Sequence, residues 1–184
     1  MQLTSCLTGS EWASNGPQTP AQRFYQAFTH AIESSALSSY DNHKFFSDRA
    51  TFHNQNGVDY QGGEIWPWIT LVFDQFERLE FDLLSIWEFR NDDGSIHFIA
   101  QAMQRIWAPG NDGTSPTVDV SLCVISRIGP STSNEAPEGL QFQEAWFSWD
   151  TYKLLPYFPG VLCLLAQPKS SFRKNHARMA HAIG

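Results

Sequence analysis

His53 lies between Phe52 and Asn54, in a stretch that reads as a short strand. Imidazole titrates near neutral pH, so on the floor of a cavity it can protonate an enol or take a proton from carbon. A hydrogen-bonded structural histidine would look the same in sequence, and both readings stand. Neighbouring Asn54 or Gln55 is placed to orient a substrate carbonyl. Far along the chain, Glu144 and Asp150 stand among Trp146, Phe147 and Trp149. A carboxylate beside aromatic rings is partly desolvated, which raises its pKa and suits it to general acid or base work. The two acids compete for that role, and Asp150 could instead cap a helical turn starting at Thr151-Tyr152. His53, Glu144 and Asp150 are thus the candidate catalytic residues.

The candidate lining comes from strand alternation. Between Ser95 and Trp107, one face carries Ile96, Phe98, Ala100, Ala102, Gln104 and Ile106. The other carries His97, Ile99, Gln101, Met103, Arg105 and Trp107. A mixed apolar and polar face suits a ligand cavity with a few placed hydrogen-bonding groups. The expectation is that the second set faces inward with Gln101 and Met103 central; the alternative is that it faces solvent. The next strand offers Asp119 and Ser121 as pocket groups. Tyr60, Trp66, Phe73, Trp87, Trp146 and Phe147 are ordinary core residues or the walls that a polycyclic or polyene substrate requires. Folding a flexible substrate into its reactive conformer lowers the entropic part of a barrier. That effect can suffice for a pericyclic closure with one donor polarising a carbonyl. No metal-, nucleotide- or nucleophile-elbow motif is present in the sequence, so chemistry falls to side-chain acids and bases.

These residues need elements to hold them. Residues 1–18 are rich in Ser, Thr, Gly and Asn without periodicity and read as a loose arm. Thr19, Pro20 and Gln22 mark a capped helix start, followed by Phe24, Ala27, Phe28, Ala31 and Ile32 at helical spacing. A second, weaker helix is expected over 38–46. Two short strands should meet at an Asn56-Gly57 turn within 50–60. After Gly62-Gly63, Ile65, Ile69, Val72 and Phe76 make the stripe of a third helix, with Pro67 in its first turn. Four long strands then follow at 78–90, 95–107, 117–128 and 140–149. Their short links imply an antiparallel meander. Residues 129–139 read as a flexible loop. The stretch 168–184 carries Lys169, Arg173, Lys174 and Arg178 with no acid, and reads as a solvated or partner-touching tail. One domain over 19–167, between arm and tail, accounts for the length.

Composition narrows the function classes. Charged residues are 17% of the chain against about 25% in ordinary domains, while 14 Phe, 7 Trp and 5 Tyr enrich the aromatics. A net charge of −7 disfavours nucleic-acid binding, which needs a basic surface. No apolar run is long enough for a membrane-spanning helix. Cys6, Cys123 and Cys163 are odd in number and dispersed, which suits a reduced, cytoplasmic setting.

Three helices before a long bent sheet resemble the nuclear-transport-factor-2-like superfamily, and within it the SnoaL-like polyketide cyclases. The carrying text is FFSDRATFHNQNGVDYQGGEIWPWITLVFDQF, with its Asn-Gly turn and Tyr-x-Gly step, and the ending EAWFSWDTYKLLPYF. The resemblance covers residues 20–160. It implies an α+β cone-shaped roll, with the helices packed on a strongly bent antiparallel sheet around an apolar cavity. It also implies a homodimer through the sheet's outer face, a hydrophobic small-molecule substrate and chemistry without a cofactor. The implied activity is a cyclase or isomerase of secondary metabolism, including Diels–Alder-type closures. A dehydratase like scytalone dehydratase, or a non-catalytic binding or adaptor domain, is the alternative.

Overall fold

The first eighteen residues do not form the loose arm expected of them. In the computed structural model, which describes residues 1–34, 37–55, 57–154 and 156–158, Gln2–Thr8 is an edge strand, β1, and Gly9–Asn15 a short helix, α1. The strand's partner is a segment about 80 residues away, so no local pattern announces the pairing: Cys6 lies opposite Trp87 and Leu7 opposite Ile86. The helix did carry a legible signal. Thr8 and Glu11 form a capping box, with the Thr8 N–H donating to Glu11 Oε2 at 2.8 Å.

The second helix, α2 (Pro20–Glu33), starts as its sequence predicts, with Thr19 and Gln22 in a reciprocal capping box. The helix expected over 38–46 is instead two single 3₁₀ turns, Leu37–Ser39 and Asn42–Lys44. Asp41 explains part of the difference, because its carboxylate accepts from the His43 N–H and holds a local turn that competes with a helix. Strand β2 (Phe46–Asn54) follows, then β3 (Asp59–Gln61). Of the expected Asn56-Gly57 turn, Asn56 lies outside the described residues, and Gly57 takes φ 80°. Gly62 at φ 49° turns the chain where an added Cβ would stand 2.5 Å from the Asp48 carbonyl oxygen, so only glycine passes there. Helix α3 (Ile65–Phe73) ends before Phe76.

The meander follows as β4 (Arg78–Arg90), β5 (Ile96–Trp107), β6 (Val118–Pro130) and β7 (Leu140–Trp149), closed by a turn of helix, α4 (Thr151–Leu154). Residues 131–139 hold a 3₁₀ turn at Pro137–Gly139. The basic stretch 168–184 lies outside the described residues. The seven strands form one open sheet in the order β1-β4-β5-β6-β7-β2-β3. Every pairing is antiparallel except β2 with β7, so the sheet is mixed.

Helices cover one face. Phe24 and Phe28 of α2 meet the ring of Phe142 at 4.9 and 5.0 Å, and Phe28 also touches Phe45, Phe46, Trp66 and Phe147. Burying each such ring stabilises the fold by about 2–3 kcal/mol. Alternation then settles the sides of the strands. On β5, Phe98, Ala100, Ala102, Gln104 and Ile106 are buried under the helices, while His97, Ile99, Gln101, Met103 and Arg105 turn to the outer face. The expected inward set is therefore the outward one, except for Trp107 at the strand's end, which is buried. Its polar members signalled solvent, and the aliphatic set alone met the helices' aromatic rings. Among the described residues no helix is long and apolar enough to cross a membrane.

Candidate functional site

His53 and Glu144 do meet, but not in a cavity. Phe52 and Asn54 point under the helices, so strand parity sends His53 to the outer face. There its Nε2 lies 3.1 Å from Glu144 Oε1 and its Nδ1 2.8 Å from Asp59 Oδ1, with Trp146 stacked on the ring. Burial works against protonation of His53. The hydrogen bonds and charges of Glu144 and Asp59 outweigh it, so the pKa is raised. Arg127 Nε stands 4.0 Å from the other Glu144 oxygen.

This group belongs to a row that crosses the outer face. Cross-strand register places Trp87, Ile99, Ile125, Trp146 and His53 side by side on five neighbouring strands. Ile125 is 41% and Trp146 37% exposed. Next to the row is an outer groove of about 470 Å³ that collects Gln101, Ser121 and Asp150 together with Cys123 and Ser148. Gln101 there accepts from the Ser85 hydroxyl at 3.2 Å. Asp119 and Met103 share this face. Nine of the fourteen sequence-predicted residues thus share this face, on the side opposite to the one expected.

The inner side is filled rather than hollow. Tyr60 is fully buried, Trp66 donates its indole N–H to the Leu37 carbonyl at 3.1 Å, and Phe147 packs on Phe52. Asn54 borders a void of about 10 Å³ with Trp68 and Trp149, which is room for one water at most.

The larger opening lies where α2 and α3 end and β4 begins. It is a half-open recess of about 620 Å³, bounded by Glu33, Phe73, Asp74, Phe76 and Trp107, with the Asn111–Gly113 loop at its rim. Of the predicted lining residues Phe73 reaches it, and so does Trp107 from the strand face expected to point inward. Glu33, the last residue of α2, is half-buried and accepts the Phe81 N–H at 2.8 Å. Burial raises its pKa, and this outweighs the lowering by that N–H and by His30. Burial likewise raises Asp74. The Trp107 indole N–H is buried and has no acceptor among the described residues. Sequence reasoning missed Glu33 because a glutamate closing a helix looks solvated. The clue was its place one residue beyond the apolar stripe ending at Ala31-Ile32, where a side chain turns toward the core.

No family model matches this chain, and no curated protein sequence matches it. Solved structures do. Nuclear transport factor 2 from Cryptosporidium parvum aligns with a TM-score of 0.53 at 11% identity, over 79% of this chain and 100% of that one. A structure described as a SnoaL-like polyketide cyclase from Shewanella putrefaciens CN-32 aligns with a TM-score of 0.52 at 13% identity, over 86% and 99%. The chain has the nuclear-transport-factor-2-like fold. The hexachlorocyclohexane dehydrochlorinase LinA-type3 from Novosphingobium barchaimii LL02 shares it, with a TM-score of 0.55 at 10% identity over 76% of this chain and 88% of that one. Identities this low speak for the fold of the nuclear-transport-factor-2-like group and leave activity to the site.

Proposed function

We propose that this chain is a cofactor-independent cyclase or isomerase acting on a hydrophobic polyketide or terpenoid intermediate in the cytoplasm, with the recess as its active site. The observation that carries the reading is Glu33: a half-buried carboxylate of raised pKa facing a 620 Å³ hollow walled by Phe73, Phe76 and Trp107. A substrate lying on those rings is desolvated and folded. Ionised Glu33 takes a proton beside a carbonyl, and the neutral acid returns it elsewhere. Templating a Diels–Alder-type closure uses the same walls and requires no proton transfer. Elimination of water is the second reading. It is favoured by the same raised pKa, which keeps an acid available for a leaving hydroxyl, and by the dehydrochlorinase among the similar folds.

The assignment of catalysis to His53, Glu144 and Asp150 moves with the site. We infer for the outer face a role in homodimerisation, supported by the row of Trp87, Ile99, Ile125 and Trp146 across the sheet.

The deciding experiment incubates chelator-dialysed protein with metabolite extracts and follows products by chiral, mass-resolved chromatography. Conversion of one metabolite to an isomer of equal mass supports the cyclase or isomerase, and loss of water points to the dehydratase. An apolar metabolite that co-purifies unchanged would make the cone a carrier.

A further inference from the structure

Both ring nitrogens of His53 face a carboxylate, Nδ1 at 2.8 Å from Asp59 and Nε2 at 3.1 Å from Glu144. Ionised carboxylates only accept, and a neutral imidazole has a single N–H, so the two bonds together require the doubly protonated ring. The groups facing it are Asp59 from β3, Glu144 from β7 and, through Glu144, Arg127 from β6, with His97 of β5 opposite Arg127. Imidazolium and guanidinium balance the two acids.

The row that includes His53 lies beside the outer groove on the same strands. Its members Ile99, Ile125 and Trp146 are each two residues from Gln101, Cys123 and Ser148, which border the groove. Row and groove are a ridge and a furrow one side-chain spacing apart. A two-fold axis running between them sets the row of each copy into the groove of the other, a closed and self-complementary contact. The same axis brings Asp150, at the groove's edge, toward Glu144 and Arg127 of the other copy.

We infer, resting on the homodimer role given to this face, that a second copy of this chain docks row into groove and that the proton on His53 sets the strength of the contact. With the proton in place, the imidazolium and Arg127 offset Asp59, Glu144 and the incoming Asp150. Once it leaves, one carboxylate meets a ring lone pair and each copy carries one more negative charge. The copies then repel across a distance shorter than the Debye length, where salt screens little. The pKa of His53 is raised in the single chain already, and the dimer raises it further. The contact is therefore strong below that value and weakens as pH rises through it.

The test is sedimentation equilibrium of the full chain at pH 6.0 and 8.5, native and as His53→Gln, His97→Gln and Asp150→Asn. The native dissociation constant should rise at least about tenfold between the two pH values, because both copies lose the proton. His53→Gln should dissociate alike at both, His97→Gln should follow the native chain, and Asp150→Asn should show a smaller rise. A native dimer equally strong at both pH values overturns the inference and leaves the dimer standing. So does a rise that persists in His53→Gln or vanishes in His97→Gln. A rise in Asp150→Asn as steep as the native one overturns the seating of row in groove. A monomer at both pH values overturns the dimer as well. A second readout needs no variant: the His53 imidazole resonances of the native chain should titrate at a higher pH above the dissociation constant than below it. Equal midpoints at the two protein concentrations overturn the inference.

Discussion

The rings of His53 and Trp146 lie face to face on neighbouring parallel strands, with centroids 4.6 Å apart and planes inclined by 14°. Two carboxylates hold the imidazole edge in this position, so its charge state bears on both the indole and the sheet.

Because the folded-state pKa of His53 is raised, the native protein holds that proton more tightly than the unfolded chain. The stabilisation is complete below the unfolded value of about 6.5 and fades as pH rises through the higher folded value. With the group partly open to water, it amounts to no more than about 1 kcal/mol. Thermal melts of the native chain and His53→Gln from pH 6 to 9 should therefore converge as pH rises. Curves that stay parallel would mean that the imidazole is not the titrating group.

Glu33→Gln keeps the acceptor for the Phe81 N–H and removes only the ionisation. The expected result is a loss of about 10²–10⁴-fold in turnover with the melting temperature at neutral pH preserved or raised. Since the folded-state pKa of Glu33 is raised, the acid limb of the native rate profile should lie above the usual carboxylate value of 4.5 and vanish in the variant. Stability runs the other way: it is greatest while Glu33 is protonated and falls as pH rises through its pKa. A variant with full activity would remove Glu33 from the chemistry.

Trp146→Glu places a charge at the exposed centre of the outer row. Sedimentation equilibrium should show dimer dissociation strengthened at least tenfold, with circular dichroism unchanged. If the native chain is already a monomer at micromolar concentration, the role inferred for this face is wrong.

Phe28 touches six aromatic rings and is 2% exposed, so Phe28→Ala should cost about 3–5 kcal/mol in denaturant unfolding. A loss below about 1 kcal/mol would mean that the core closes over the gap.

The fold was readable wherever the signal was local. Thr19-Pro20-x-Gln22 announced α2, and β4 and β7 end where their alternation stops. What failed was everything decided at a distance. Strand β1 exists because the edge of β4 accepts it, and its own apolar content is too low to show a period. His53 and Glu144 come within 3.1 Å of each other, yet their side of the sheet depended on parity against Phe52, which the helices alone could fix. Glu33 escaped notice because its desolvation comes from elements far along the chain, Phe73 and Trp107 among them.

Strand β7 lies between β6 and β2, and only there does the sheet close the gap between its last hairpin and its first. On the ribosome, the β2–β3 unit emerges well before the strand that must flank it. At about 5–20 residues per second, the stretch from Asn54 to Trp149 takes roughly 5–20 seconds to appear. Throughout that interval one edge of β2 has no neighbour, and Phe46 and Phe52 lack the rings of Phe142 and Phe147 that cover them. The nascent chain therefore holds an adhesive, half-built sheet for seconds, until the final strand slides in.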